Sequence, residues 1–330
     1  MSFLFPSSTI TLDAALRDLA QGSPRARAFA AHALGDVTEA TEKRRAVDAL
    51  IAALDDDRHE VRAEACSSLG SLGEPAAVAA LVKRLDDGVP AVRQNAAIAL
   101  GTIGHPDGFE PLAAALRDGP ADLRFQAATS LAEIDAARAY DPIVAALDDD
   151  DPQVVAAAAL ALGAIGDRRA ISPIVPLLEH DDGAVRFDAA YALAELGDPT
   201  GRGFLVGSLG DPDRAWDAVT ALATLGTPAD VDALGRALTD RKVPPEATIL
   251  AAGSILRLGG TSEAARRVLL AGLGARKTHV RGLAVEQLGE VGGEWARAPL
   301  DKLGRSGKGG ELLESIAAAL RAIEDRIARR

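Results

Sequence analysis

Apolar residues recur along the chain at the spacing of α-helices, and short acidic, glycine or proline segments interrupt them at regular intervals. In the stretch 86–116, DDGVPAVRQNAAIALGTIGHPDGFEPLAAAL, a first apolar series consists of Val92, Ala96, Leu100 and Ile103. Gly104, His105 and Pro106 end it, and a second series follows at Phe109, Leu112 and Leu116. Intervals of three and four residues place each series on one helix face, and glycine and proline interrupt helices. The stretch therefore predicts two helices joined by a tight turn.

The same pattern of two helices repeats along most of the chain. It covers 55–85, 86–116, 117–147, 148–178 and 179–209, each 31 residues long, and loosens to 29 residues in 210–238 and 35 in 239–273. Self-similarity at such a period is typical of repeat architectures. We therefore predict an all-α fold, a right-handed α-solenoid of about nine antiparallel helix pairs. Residues 1–303 form the solenoid in this interpretation, and 55–209 are its most regular part.

The C-terminal segment follows a different pattern. The glycine-rich sequence GRSGKGG at 304–310 predicts a flexible break. Residues 311–330, ELLESIAAALRAIEDRIARR, predict one amphipathic helix. Because terminal repeats need a cap, we expect this helix to close the stack. The alternative is a detachable helix that binds a partner.

Arginines mark one position of the repeat. Arg62, Arg93 and Arg124 are 31 residues apart, and Arg186 lies two periods further on, while Val155 occupies the skipped position. A guanidinium group can bridge carboxylates or cap helix ends with its fork of donors, which favours a structural role for these four residues. The alternative is a track that binds an anionic partner. The interruption at Val155 weakens such a track more than it weakens a packing scheme.

The repeated phrase resembles a known family. The pattern D-x-x-x-x-V-R-x-x-A-A-x-A-L-G-x-I-G, followed by a short leucine-rich helix, is similar to the HEAT-like repeats of the phycobilin-lyase (PBS-lyase) type. The resemblance implies that the V-R helix is the second of each pair and lines a concave face. It also implies that the arginines meet acids in the turns of neighbouring repeats. Those acids include Asp55–Asp57, Asp86, Asp87, Asp118, Asp181 and Asp182.

Composition and charge exclude several classes of function. The 330 residues carry a net charge of −12, which opposes a large phosphate-binding surface, so we expect no nucleic-acid partner. The single cysteine, Cys66, allows no intrachain disulfide. The sequence contains no run of 18 apolar residues, the length that would predict a membrane-spanning helix. We therefore expect a cytoplasmic protein that does not bind membranes.

The sequence offers little that predicts catalysis. The five histidines fall in different repeats without the spacing of metal ligands. No nucleophile elbow, phosphate loop or dinucleotide fingerprint is present in the sequence. We therefore expect no metal, no cofactor, no small-molecule substrate and no enzymatic activity.

Aromatic residues beside the arginine positions are the candidate binding site. Positions one and five residues after the arginine share a helix face. Four aromatic residues occupy them in the middle repeats: Phe125, Phe187, Tyr191 and Trp216. Asp188 and Asp217 share that face. Because aromatic residues often anchor partners, we predict a non-catalytic scaffold or adaptor that binds another protein in its concave groove.

Two alternatives accompany this prediction. The aromatic residues could instead fill gaps between repeats. The family resemblance also implies an alternative function, that of a phycobilin-lyase-like enzyme or its accessory subunit.

Overall fold

The repeats form an all-α solenoid. The computed structural model describes residues 10–260, 262–306 and 309–329. Across these residues it contains 20 α-helices and no β-strand. Successive helices pair across short turns, and nine such pairs pack closely among these residues. The predicted all-α solenoid of about nine helix pairs is therefore confirmed.

The chain divides into two compact units, one ending at Pro173 and the next beginning at Ile174. The helices of the first unit are α1 (Leu12–Gln21), α2 (Pro24–Gly35), α3 (Ala40–Ala53), α4 (His59–Leu72), α5 (Val78–Arg84), α6 (Pro90–Ile103), α7 (Phe109–Asp118), α8 (Ala121–Ile134), α9 (Ala136–Ala145) and α10 (Pro152–Ile165). A short helix, α11 (Ile171–Ile174), lies at the boundary. The second unit contains α12 (Gly183–Glu195), α13 (Arg202–Ser208), α14 (Ala215–Leu225), α15 (Pro228–Ala237), α16 (Pro245–Arg257), α17 (Glu263–Gly272), α18 (Thr278–Val291), α19 (Glu294–Gly304) and α20 (Leu313–Ala328).

Each unit has two layers of helices. In the first unit α2, α4, α6, α8 and α10 pack side by side, and in the second α12, α14, α16, α18 and α20 do the same. We refer to these helices as the even-numbered layer. The odd-numbered helices, except the short α11, each pack against the even-numbered helix that follows them. All the arginine positions of the repeat therefore lie in the even-numbered layer.

Small residues allow the helices of this layer to approach closely. A Cβ atom added to Gly70 of α4 would lie 3.0 Å from the Cα of Ala99 in α6. One added to Gly101 of α6 would lie 3.0 Å from the Cα of Ser130 in α8. Interiors of proteins are close-packed, so glycine facing alanine or serine brings the helix axes together. This contact explains why the repeat keeps small residues at these two positions.

The C-terminal helix α20 packs against α18 and α19. Its buried side chains are Ile316, Ala319 and Ile323. Arg326 donates hydrogen bonds to the backbone oxygens of Gly292 and Gly289, each at 2.6 Å. These contacts attach α20 to the preceding helices, and closing of the stack by residues 311–330 stays a prediction. Two residues of the expected break, Gly307 and Lys308, lie outside the described residues.

Candidate functional site

Two of the repeated arginines link consecutive repeats of the first unit in the same way. The Nε and Nη2 atoms of Arg62 donate to the Asp87 carboxylate at 2.8 and 2.9 Å, and Nη1 donates to the backbone oxygen of Asp56 at 2.9 Å. Arg124 donates to both oxygens of Asp149 at 2.7 and 2.6 Å. Each side chain therefore joins the turn before its own helix to the turn before the next even-numbered helix.

Arg93 makes the same kind of link with a different acid. Its Nη2 donates to both oxygens of Asp122 at 2.8 and 2.9 Å, and its Nη1 to the backbone oxygen of Asp87 at 2.9 Å. The family resemblance implied Asp118, which instead ends α7. Asp122 lies in the first turn of α8, which begins only two residues after Gly119. The short turn therefore moves the acid from before the helix to inside it.

Arg186 in the second unit departs from the expectation. It donates to the backbone oxygens of His180 and Asp181 but forms no ion pair within 4.0 Å with any carboxylate of the described residues. The Asp182 carboxylate, expected to meet this arginine, accepts hydrogen bonds from the backbone N–H groups of Ala184 and Val185. Capping of α12 therefore takes the place of the ion pair.

The paired arginines and acids of the first unit are largely shielded from solvent. Only 15% of the Arg62 side chain and 5% of the Asp87 side chain are exposed. Hydrogen bonds from Arg62 lower the pKa of Asp87, and they outweigh burial, which acts to raise it. Because these guanidinium donors already meet local carboxylates, they are not free to hold an anionic partner. The geometry favours the structural interpretation of Arg62, Arg93 and Arg124.

The four candidate aromatic residues fall in different surroundings. Phe125 on α8 belongs to the first unit and is 41% exposed, whereas the other three belong to the second. Trp216 on α14 is 43% exposed, and Tyr191 on α12 is half-buried. Phe187 is only 6% exposed, and the guanidinium of Arg214 lies 5.2 Å from its ring centre. Phe187 therefore fills space within the layer, the role that the alternative gave to aromatic residues.

Trp216 borders a groove between α14, α16 and α18 in the second unit, with a volume of about 490 Å³. We refer to it as the Trp216 groove. Its lining includes Trp216, Thr220, Leu250, Leu283, Glu286 and Gln287. Arg257 and Glu290 also line it and pair with each other at 3.1 Å. The groove thus combines an exposed ring, apolar walls and a polar rim, as binding sites commonly do.

Gln287 is an unusual residue for its position in the repeat. It lies six residues after Arg281, where the repeats of Arg62, Arg93 and Arg124 have Ser68, Ala99 and Ser130. Its side chain lies over Gly253, where an added Cβ atom would be 1.9 Å from the Oε1 atom. Gln287 is 4% exposed, and Oε1 has no hydrogen-bond partner among the described residues. A buried acceptor without a partner is unfavourable and rare enough to need an explanation.

Several titratable residues of α12 and α14 influence one another. Burial raises the pKa of Asp188, an effect that Arg214 opposes and Asp217 reinforces. Burial also raises the pKa of Tyr191, and the charges of Glu195 and Asp217 add to this effect. These residues therefore form one electrostatic cluster, with Asp217 adjacent in sequence to Trp216.

Asp188 and Asp217 are among the candidate residues predicted from the sequence, whereas Glu195, Glu286 and Gln287 are not. A detectable signal existed for Gln287 alone, as a large polar residue at a small-residue position.

Other kinds of site find no support in the described part of the chain. No group of three or more histidine, cysteine, aspartate or glutamate residues in 10–260, 262–306 or 309–329 is placed to hold a metal ion. Cys66 is buried, and burial raises the pKa of its thiol to about 12. Within the same ranges, no helix is both long and apolar enough to cross a membrane.

The stacked helix pairs and their repeated arginines define a solenoid of the HEAT type. The chain belongs to the HEAT-repeat family, since the family model for HEAT repeats matches residues 12–91, 86–163 and 140–217. HEAT-repeat solenoids are generally non-catalytic. Among curated proteins, no sequence matches the chain.

Several solved structures are similar to this chain. Importin beta matches with a TM-score of 0.54 at 14% identity, covering 94% of this chain and 52% of importin beta. The Escherichia coli protein YibA matches with a TM-score of 0.51 at 21% identity, covering 78% of this chain and 94% of YibA. The complex of CpcE and CpcF of phycocyanin lyase from Nostoc sp. matches with a TM-score of 0.42 at 28% identity, covering 80% of this chain and 96% of that one. Importin beta and YibA support the solenoid fold.

Proposed function

We propose that the protein is a non-catalytic scaffold or adaptor that binds another protein through the even-numbered layer of its second unit. Trp216, 43% exposed at the edge of a groove of about 490 Å³, carries this proposal. Large exposed aromatic residues are enriched among the anchors of protein interfaces. The family resemblance predicts that this layer is concave, and Tyr191, Asp188 and Asp217 extend the surface beyond the groove. A cytoplasmic location belongs to the same proposal.

Pull-down with matched variants tests this function. The double variant Trp216→Ala/Tyr191→Ala removes the exposed ring and its half-buried neighbour on α12. Phe204→Ala is the matched control, because Phe204 is 37% exposed and lies on α13, in the odd-numbered layer of the same unit. We expect the double variant to lose partners that the wild type and Phe204→Ala retain. A double variant with a native circular dichroism spectrum that retains every partner would refute the proposal.

The phycobilin-lyase alternative has a separate test. The purified protein is incubated with a bilin and a phycobiliprotein subunit, and the absorption spectrum is followed. We expect no change in the spectrum. A change that depends on this protein would replace the scaffold function with the enzymatic one.

A further inference from the structure

We infer that the Trp216 groove binds an arginine- or lysine-containing extended segment of the partner protein, with the cation held against the Trp216 ring. This inference rests on the proposed function and specifies the chemistry of the partner. The charge around the groove and the open face of the Trp216 ring point to such a partner.

The charge of the groove is negative. Arg257 is the one cationic residue in its lining, and it already binds Glu290 at 3.1 Å and the Oγ of Ser254 at 3.1 Å. Glu286 in the same lining is exposed and has no ion-pair partner within 4.0 Å in the described ranges. Asp217, beside Trp216, is likewise exposed and unpaired there. The groove therefore offers carboxylates that lack counter-charges, and a cationic partner would supply them.

Four aromatic rings of the described residues hold arginines, and the exposed Trp216 ring is not among them. Guanidinium groups lie over four other rings: Phe109 (3.9 Å), Tyr140 (4.3 Å), Phe187 (5.2 Å) and Trp295 (5.3 Å). No cation of the described residues lies over Trp216, although tryptophan is the aromatic side chain that binds cations best. The ring that binds cations most strongly is thus left open at the groove.

The groove also suits the rest of a basic side chain. Leu250 and Leu283 supply apolar walls, and the aliphatic stems of arginine and lysine pack on such surfaces while their charged ends stay polar. A guanidinium or ammonium group carries several N–H donors and no acceptor. An acidic segment would instead meet unpaired carboxylates of its own sign, which disfavours binding.

Tryptophan fluorescence tests this inference, because the chain has only two tryptophans. Trp295→Phe leaves Trp216 as the single reporter and keeps an aromatic ring beneath Arg266. Three peptides of equal length and equal leucine content are titrated, carrying three arginines, three citrullines or three glutamates. Citrulline keeps the shape of arginine without its charge. We expect saturable binding of the arginine peptide, at least about tenfold tighter than the citrulline peptide and weakened by salt, and no binding of the glutamate peptide.

Charge variants locate the binding to the groove. Labelled-peptide anisotropy is measured for Glu286→Gln and Asp217→Asn, with Asp232→Asn on α15 as the exposed acidic control in the other layer. We expect each groove variant to weaken the arginine peptide by roughly threefold to tenfold and the control to leave it unchanged.

The two proposals fail in different ways. Equal binding of the citrulline and arginine peptides overturns the basic-segment inference and leaves the scaffold function standing. The same conclusion follows if none of the three peptides binds while pull-down still depends on Trp216. Selective binding of the arginine peptide, with pull-down independent of Trp216, supports the chemistry of the groove and removes the proposed function.

Discussion

Arg124 allows a direct comparison of a buried and an exposed ion pair, because one guanidinium holds two carboxylates. Its Nε and Nη2 atoms donate to Asp149 at 2.7 and 2.6 Å, and Nη2 also lies 2.7 Å from Asp150. The Asp149 side chain is 10% exposed, whereas that of Asp150 is 93% exposed. The perturbation is Asp149→Asn, with Asp150→Asn as the matched control.

The two substitutions should differ strongly in their effect on the free energy of unfolding. Removing one partner of a buried pair typically costs 3–5 kcal/mol. Because Asp149 retains some exposure and Asp150 remains nearby, we expect about 3 kcal/mol for Asp149→Asn. Exposed pairs contribute little, so Asp150→Asn should be indistinguishable from the wild type.

The dependence on pH follows from the direction of the pKa shift. Burial acts to raise the pKa of Asp149, but the hydrogen bonds from Arg124 and from the Asp151 N–H outweigh it, and the net shift is downward. A carboxylate with a lowered pKa in the folded state stabilises fully above its unfolded pKa of about 3.9 and loses this effect as pH falls through the folded value. The gap between the wild type and Asp149→Asn should therefore be constant from pH 7 to 5 and narrow progressively as pH falls below about 4.

Urea unfolding followed by circular dichroism measures both effects. With a slope near 2 kcal/mol/M, a loss of about 3 kcal/mol lowers the midpoint by roughly 1.5 M. Equal midpoints for Asp149→Asn and Asp150→Asn, or a gap that does not narrow as pH falls from about 5 towards about 2, would refute the assignment of stabilisation to the buried pair.

Two further predictions concern other parts of the fold. Cys66 is fully buried, and burial raises the pKa of its thiol to about 12. Ellman's reagent should therefore react with Cys66 only after denaturant unfolds the protein, and rapid labelling of the native state would contradict this. Arg326→Ala should speed amide hydrogen exchange in α20, because two hydrogen bonds to the backbone oxygens of Gly292 and Gly289 are lost. The control is Arg329→Ala, at an exposed residue beyond the end of the helix. Equal exchange in both variants would show that Arg326 does not hold α20 in place.

The sequence could predict the helices because the spacing of apolar residues determines which face of each helix is buried. It could not predict the acid that each arginine meets. Arg62 binds an acid 25 residues ahead and Arg93 one 29 residues ahead, although Arg93 also has an acid, Asp118, 25 residues ahead. The length of the intervening turn decides the pairing, and a flexible side chain adapts to it.

The candidate site shows the same limit. Phe187 and Trp216 occupy equivalent positions of the repeat, yet one is 6% and the other 43% exposed. The difference depends on Arg214, whose guanidinium covers Phe187 from the residue preceding α14. Periodicity identifies the face of a helix but contains no information on which neighbouring side chain covers it.

The side chains two residues after the repeated arginine position differ between the two units in whether they have hydrogen-bond or ion-pair partners. In the first unit Glu64 lies 2.7 Å from the Nδ1 of His32, Asn95 donates to the backbone oxygen of Ala63 at 2.9 Å, and Gln126 donates to Thr129 at 3.1 Å. At the corresponding positions of the second unit, Asp188 and Asp217 form no hydrogen bond or ion pair with other described side chains.

Asp188 is half-buried without such a bond, and a half-buried carboxylate loses hydration, so this position of the repeat carries a cost in the second unit. Under the proposed function, a bound cation would offset that cost. The polar position of the repeat stabilises the fold in the first unit, and we propose that it serves recognition in the second, where Asp217 is adjacent in sequence to the exposed Trp216.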